Sequence, residues 1–161
     1  MKLKLTGVLF ALVFFVVAGC NSDLAQTKKF TAADLQKLRW IEGTWRGTGD
    51  VDKPFFERYR FEGDSVLVVD SFEDETLAKV TEITRFELKD GELGGGNDGH
   101  RYVAKSLDDR SVEFGPGVNV KNGFRWEFES KDVWKATIIF PANGTKPAGQ
   151  RVYKMERWPK P

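Results

Sequence analysis

The chain has 161 residues, with 25 lysines and arginines against 24 aspartates and glutamates and a formal charge of +1. So even a charge balance provides no strongly basic face for a nucleic-acid partner. One cysteine excludes an internal disulfide, one histidine excludes a histidine-rich zinc site, and Cys/His catalysis would need that lone cysteine to be unmodified.

Lys2 and Lys4 open the chain, an uncharged apolar stretch follows, and Val17-Ala18-Gly19-Cys20 ends it. A basic head, a short apolar core and small residues before a cut form a signal-peptide pattern. The uncharged run from Leu5 to Gly19 is shorter than the roughly 20 residues a spanning helix needs. Val17-Ala18-Gly19-Cys20 resembles a lipobox, where bacterial lipoproteins are lipidated and cleaved. The resemblance implies that residues 1–19 are removed and that Cys20 becomes an acylated first residue held in a bilayer. Several acyl chains anchor stably where one is marginal. Asn21, not an aspartate, resembles outer-membrane cargo at the periplasmic face more than inner-membrane cargo. Removing residues 1–19 takes away two lysines and no acid, which turns the charge from +1 to −1. The alternative is an ordinary secretory signal, cut near Ala25, with a chance cysteine.

Residues 20–30 read as a polar tether and 31–161 as one domain, large enough for a real core. Thr31 is a helix cap, Asp34 three residues on suits the N-terminal dipole, and Leu35 and Leu38 share a face. One short helix is expected over about 31–39. The period then turns to two. Strands are expected at 43–49, 55–61, 65–72, 78–88, briefly near Glu92, and at 100–106, 110–114, 124–130, 133–140 and 150–158. Asp90-Gly91 is a hairpin turn, and Gly94 to Gly99 reads as a loop. About ten consecutive strands with short turns and little helix predict an all-β antiparallel up-and-down barrel, since closure removes the unpaired edges. A sandwich is the runner-up.

The stretch Leu38-Arg39-Trp40-Ile41-Glu42-Gly43-Thr44-Trp45-Arg46-Gly47-Thr48-Gly49 resembles the opening of calycin-type barrels: lipocalins, fatty-acid-binding proteins and above all the nitrobindin-like group. In these a helix or 3-10 turn precedes a glycine-x-tryptophan strand, and the tryptophan packs at the closed end; Trp45 has that place here. The chain is also similar to uncharacterised lipocalin-like domains carried by bacterial lipoproteins. Nitrobindin-like haem domains hold iron with a histidine near the C-terminal strands. The last strand here has none, although Tyr153 and Met155 are chemically able to ligate iron. No cofactor is expected, haem included.

Alternation places Phe55, Glu57, Tyr59 and Phe61 on one face, and Val80, Glu82, Thr84 and Phe86 on another. Phe124, Trp126 and Phe128 share a third. If the aromatic faces line the barrel, Glu57 and Glu82 point inward and need partners or raised pKa values. Arg151, on the face of Tyr153 and Met155, is the expected partner. The reversed assignment of faces, and a satisfied internal network, stay open. A ligand site would therefore comprise Trp45, Glu57, Tyr59, Phe61, Glu82, Phe86, Trp126, Arg151 and Tyr153. No catalytic set and no metal site is expected. His100 reads as a loop-edge histidine, and Asp70, Glu73, Asp74 and Glu75 as a solvated acidic turn.

Three functions compete. One is an envelope lipoprotein whose barrel binds a small hydrophobic or amphipathic ligand without catalysis. The second is an inhibitor or assembly accessory with a filled barrel. The third is an isomerase or cyclase using Glu57 or Glu82 as acid or base.

Overall fold

A computed structural model describes residues 29–49 and 53–159; the expected signal segment, Cys20 and the expected tether up to residue 28 lie outside the described residues. Phe30, at the end of the expected tether, is already a core residue.

The strands are β1 (Gly43–Thr48), β2 (Phe55–Glu62), β3 (Val66–Phe72), β4 (Val80–Lys89), β5 (Glu92–Gly96), β6 (Arg101–Leu107), β7 (Ser111–Val118), β8 (Gly123–Ser130), β9 (Val133–Phe140) and β10 (Gly149–Arg157). Each pairs antiparallel with the next, and β10 pairs with β1 to close the barrel. The ten-strand barrel expected from the alternation is therefore the observed architecture.

Turn chemistry fixes two of the hairpins. Asp90 and Gly91 both have positive φ, and so do Asp98 and Gly99. Two successive left-handed residues are the requirement of the tight hairpin turn that matches strand twist. In the second turn the His100 N–H donates to the Asn97 carbonyl at 2.9 Å.

Part of the expected Gly94–Gly99 loop is strand. Gly94 to Gly96 form the end of β5, and Gly95 is buried between β4 and β6. A Cβ on Gly95 would collide with the Arg85 carbonyl oxygen, so the run marks close backbone approach rather than a turn. β7 also runs past Phe114 through Pro116 to Val118. Its pairing with β8 ends at Phe114, so Pro116 lies where β7 pairs only with β6 and its missing N–H breaks no ladder to β8.

One end of the barrel is sealed. Thr31 and Asp34 cap each other: the Asp34 N–H donates to Thr31 Oγ1 at 3.2 Å, and the Thr31 N–H donates to Asp34 Oδ2 at 2.9 Å. That box starts α1 (Ala32–Gln36), which tightens into a 3-10 turn over Lys37–Ile41. Leu35, Leu38 and Ile41 are buried across the barrel end. The Trp45 indole N–H donates to the Ile41 carbonyl at 2.6 Å. The Arg157 guanidinium lies 3.9 Å over the Trp45 ring and donates to the carbonyls of Glu42 and Lys131. Gly43 sits beneath it at φ 128, where a Cβ would meet Arg157 Nη1. Above this seal Trp134, with no exposed surface, meets the rings of Trp40, Trp45, Tyr59 and Trp126 at 5.4–6.1 Å, edge to face.

Candidate functional site

The other half of the barrel is hollow. β2 starts there with Phe55, β4 begins near Glu82, β9 ends near Ile138 and β10 begins before Tyr153, so these residues stand at the end away from α1. Between them and the tryptophan layer lies a cavity of about 210 Å³. Its walls are the rings of Phe55, Tyr59, Phe86, Phe124, Trp126 and Tyr153. Gly47 and Gly49 make room for two of them, since a Cβ at either would run into the Phe55 or Tyr153 ring.

The polar groups come from one rung. Glu57 on β2 stands opposite Ser71 on β3, and Ser71 opposite Glu82 on β4. Two strand spacings set the backbones of the two acids roughly 10 Å apart. Thr84, next along the same face as Glu82, adds a second hydroxyl to the wall. The Tyr59 hydroxyl donates to Glu57 Oε2 at 2.6 Å. Glu57 is ringed by protein yet keeps some accessible surface facing the cavity. Desolvation is the strongest influence on its carboxyl and pushes it up; the Glu82 charge adds to this, and the Tyr59 and Ser71 hydroxyls offset part of it. The net shift is upward, so the acid holds its proton to higher pH than an exposed glutamate. Tyr59, buried beside it, has its phenol raised well above the usual value by desolvation and by the Glu57 charge.

The inward assignment of the aromatic faces is thus the observed one, and Glu57, Tyr59, Glu82, Phe86, Trp126 and Tyr153 converge on the cavity. Three expected members stand elsewhere. Trp45 belongs to the sealed end, because the first strand enters there under the 3-10 turn. Phe61 lies toward the same end, with the Arg39 guanidinium 4.3 Å over its ring. Arg151 is exposed and donates to the Tyr153 hydroxyl at 3.3 Å; it is not among the cavity-lining residues, and the groups that meet Glu57 are Tyr59 and Ser71. Glu82 faces the cavity but is exposed at its mouth, where it accepts hydrogen bonds from Asn97 Nδ2 and Thr84 Oγ1.

The acidic residues near the β3–β4 turn do not form a unit. Asp70 is buried on the outer face, where Arg58 and Arg60 donate to its Oδ2 at 3.1–3.2 Å. Desolvation pushes its carboxyl up most strongly of any single influence, but the two arginines together outweigh it and hold it below the usual value. Glu73 pairs with Lys79, and Asp74 accepts from the Thr76 N–H. Among the described residues no group of three or more His, Cys, Asp or Glu is placed to hold a metal. His100 is exposed at the β5–β6 turn and is not among the cavity-lining residues.

Ser71, Phe55 and Ile138 are wall residues not expected as part of the site. β3 opens on four apolar residues in a row, Val66 to Val69, because both its faces are covered, and this hides the alternation that would place Ser71 inward. The signal lies in pairing: once Glu57 is inward, its cross-strand partner is inward too.

The arrangement fits a calycin-like barrel, sealed at one end and hollow at the other. No protein-family model matches the sequence, and no curated protein matches it. Solved structures are similar to it, among them the following two. The crystal structure of Rv2717c from M. tuberculosis is 16% identical, covering 77% of this chain and 96% of that one, with a TM-score of 0.43. The structure of EF1p2_mFAP2b bound to DFHBI is 9% identical, covering 79% of this chain and 99% of that one, with a TM-score of 0.37. Likenesses of that size do not speak to a ligand; the side chains of this barrel do.

Proposed function

We propose that the protein is an envelope lipoprotein, anchored through Cys20, whose barrel binds a small, mostly apolar ligand without converting it. The supporting observation is the aromatic-walled cavity of about 210 Å³ with Glu57, Ser71 and Thr84 set into its wall. A cavity of about 150 Å³ suffices for benzene, whereas pockets for drug-sized ligands run to roughly 300–1,000 Å³. The enclosed part of the ligand is then one ring or its equivalent with a short polar arm. The same cavity speaks against a filled barrel serving only as a protein-interaction module. The Phe30 N–H donates to the Gly91 carbonyl at 2.8 Å, so the tether joins at the sealed end and leaves the mouth on the opposite side.

Native mass spectrometry of the protein drawn from its own membranes in mild detergent tests this reading. A small molecule bound one to one is expected, and a Cys20→Ser variant should lose membrane retention. A protein that carries nothing and admits no small aromatic compound overturns the binding reading. Unchanged retention of Cys20→Ser overturns the anchor. The raised Glu57 carboxyl favours a second reading, an isomerase or cyclase with Glu57 as the acid. Turnover of the recovered molecule that Glu57→Gln abolishes would replace the first reading with this one.

A further inference from the structure

We infer that the ligand is a small organic cation, an ammonium compound about one ring in size, seated on the aromatic walls with its charge toward the Glu57–Ser71–Glu82 rung. The inference rests on the cavity being a ligand site, and it names the class of ligand.

The lining chemistry is one-sided. Among the described residues the cavity wall contains two carboxylates and no lysine, arginine or histidine. Ser71 and Thr84 stand beside the acids as further oxygen acceptors for an N–H donor. The remaining surface is mainly aromatic, and ring faces attract cations through their quadrupole. Phe55 and Tyr153 meet edge to face at the mouth with centroids 5.3 Å apart, so a ligand entering beside Glu82 passes between rings and acids.

The two acids sit on one rung with only Ser71 between them. The Glu82 charge disfavours that of Glu57, and a cation placed between the two acids offsets it. An anion would be repelled by both and would find no fixed positive group in the wall. The charged or titratable groups that face Glu57 are Tyr59 on its own strand, Glu82 on β4 and Tyr153 on β10, with Arg151 beyond Tyr153 at the rim. β8 and β9 present apolar groups there, among them Trp126 and Ile138. A cation binds the ionised form of Glu57, so its affinity should rise as pH rises through that group's elevated pKa.

Three probes of one shape and different charge test this: benzylammonium, benzyl alcohol and benzoate, titrated into the detergent-solubilised protein with calorimetry and Trp126 fluorescence as readouts. Benzylammonium should bind about tenfold more tightly than benzyl alcohol, with benzoate weakest. Glu57→Gln should erase that preference while leaving benzyl alcohol within about twofold, and Glu82→Gln should reduce it by a smaller factor. If Glu57→Gln does not fold, Glu82→Gln, at an exposed position, carries the comparison. Benzyl alcohol or benzoate binding as tightly as benzylammonium overturns the cation inference and leaves the cavity reading standing. A preference for benzylammonium unchanged in every folded variant overturns it as well. Binding of none of the three overturns the cavity reading and the inference together.

Discussion

The end of the barrel beneath α1 and the end away from it are made from the same ten strands and from the same kinds of aromatic residue, yet one is packed solid and the other is hollow. At the sealed end a helix and a 3-10 turn insert Leu35, Leu38 and Ile41, and Trp134 fills the centre among four rings. Among the described residues no such segment inserts at the open end. Small or polar side chains, Ser71, Thr84 and Ala136, occupy wall positions there, and the rings line the space without filling it. The sealed half follows two rules of a stable core, inserted side chains that fill the space and aromatic edges on faces, and it satisfies the Trp45 indole, while the buried indole N–H groups of Trp40 and Trp134 have no acceptor among the described residues. The open half breaks them with a void and a desolvated carboxyl. A void and a desolvated carboxyl set together in one region are what a functional site looks like.

Truncation in the two halves should separate them sharply. Trp134→Ala removes a ring with no exposed surface, in contact with four others, and should destabilise the protein by about 3–5 kcal/mol. Denaturant unfolding followed by far-UV circular dichroism measures this. A loss below about 1 kcal/mol would mean that the tryptophan layer is not the core. Phe55→Ala acts at the mouth, on a half-buried ring beside space that is already empty, and should cost only about 1 kcal/mol. Its larger effect should be on ligand affinity. A stability loss equal to that of Trp134→Ala would show that the open half is as much a core as the sealed one.

How much of the molecule is legible in the sequence differs between the halves for the same reason. Thr31, Asp34, Gly43 and Trp45 carry local signals, a cap and a glycine-x-tryptophan strand start, and these lead directly to the sealed end. The strands themselves follow from alternation, clearest at Phe55 to Phe61, and Asp90-Gly91 gives its turn through backbone conformation alone. The open half depends on register. Which residue faces Glu57 is settled by the β2–β3 ladder, and β3 conceals it because its apolar start, Val66 to Val69, shows no alternation and Val68 and Asp70 are covered on the outer face about as fully as Leu67 is inside. Strand parity gives a face but not a height along the barrel axis, which is why Arg151 suggests itself as the partner of Glu57 and is not. Arg157 gives no sign of covering Trp45, since nothing local to either residue records that β1 and β10 are neighbours. The glycine run 94–96 misleads because glycine serves both turns and close strand approach, and only the neighbours at Arg85 and Phe86 decide which.

The smallest expected stability change is the one that isolates the hollow half's chemistry. Glu57→Gln keeps the size of the side chain and an oxygen that still accepts from Tyr59, so packing barely alters. What changes is ionisation. Glu57 titrates near 4.5 when unfolded and higher when folded. Below about 4.5 the acid is protonated in both states, and wild type and variant should be close in stability. As pH rises toward the folded-state pKa, the unfolded chain releases its proton while the folded chain retains it, and wild-type stability falls by linkage. The amide has no such slope. Denaturant midpoints at about pH 4 and about pH 8 should therefore show near-equality at the first and a more stable variant at the second. An equal deficit for Glu57→Gln at both values would mean that the fold does not penalise the carboxylate. Benzylammonium should raise the wild-type midpoint at the higher pH more than that of the variant, which keeps only binding as weak as that of benzyl alcohol. A hollow half destabilised by its own carboxylate when empty, and relieved of that cost by one class of ligand, is the contrast with the sealed half that these midpoints read, because among the described residues the sealed half holds no carboxyl held up by desolvation.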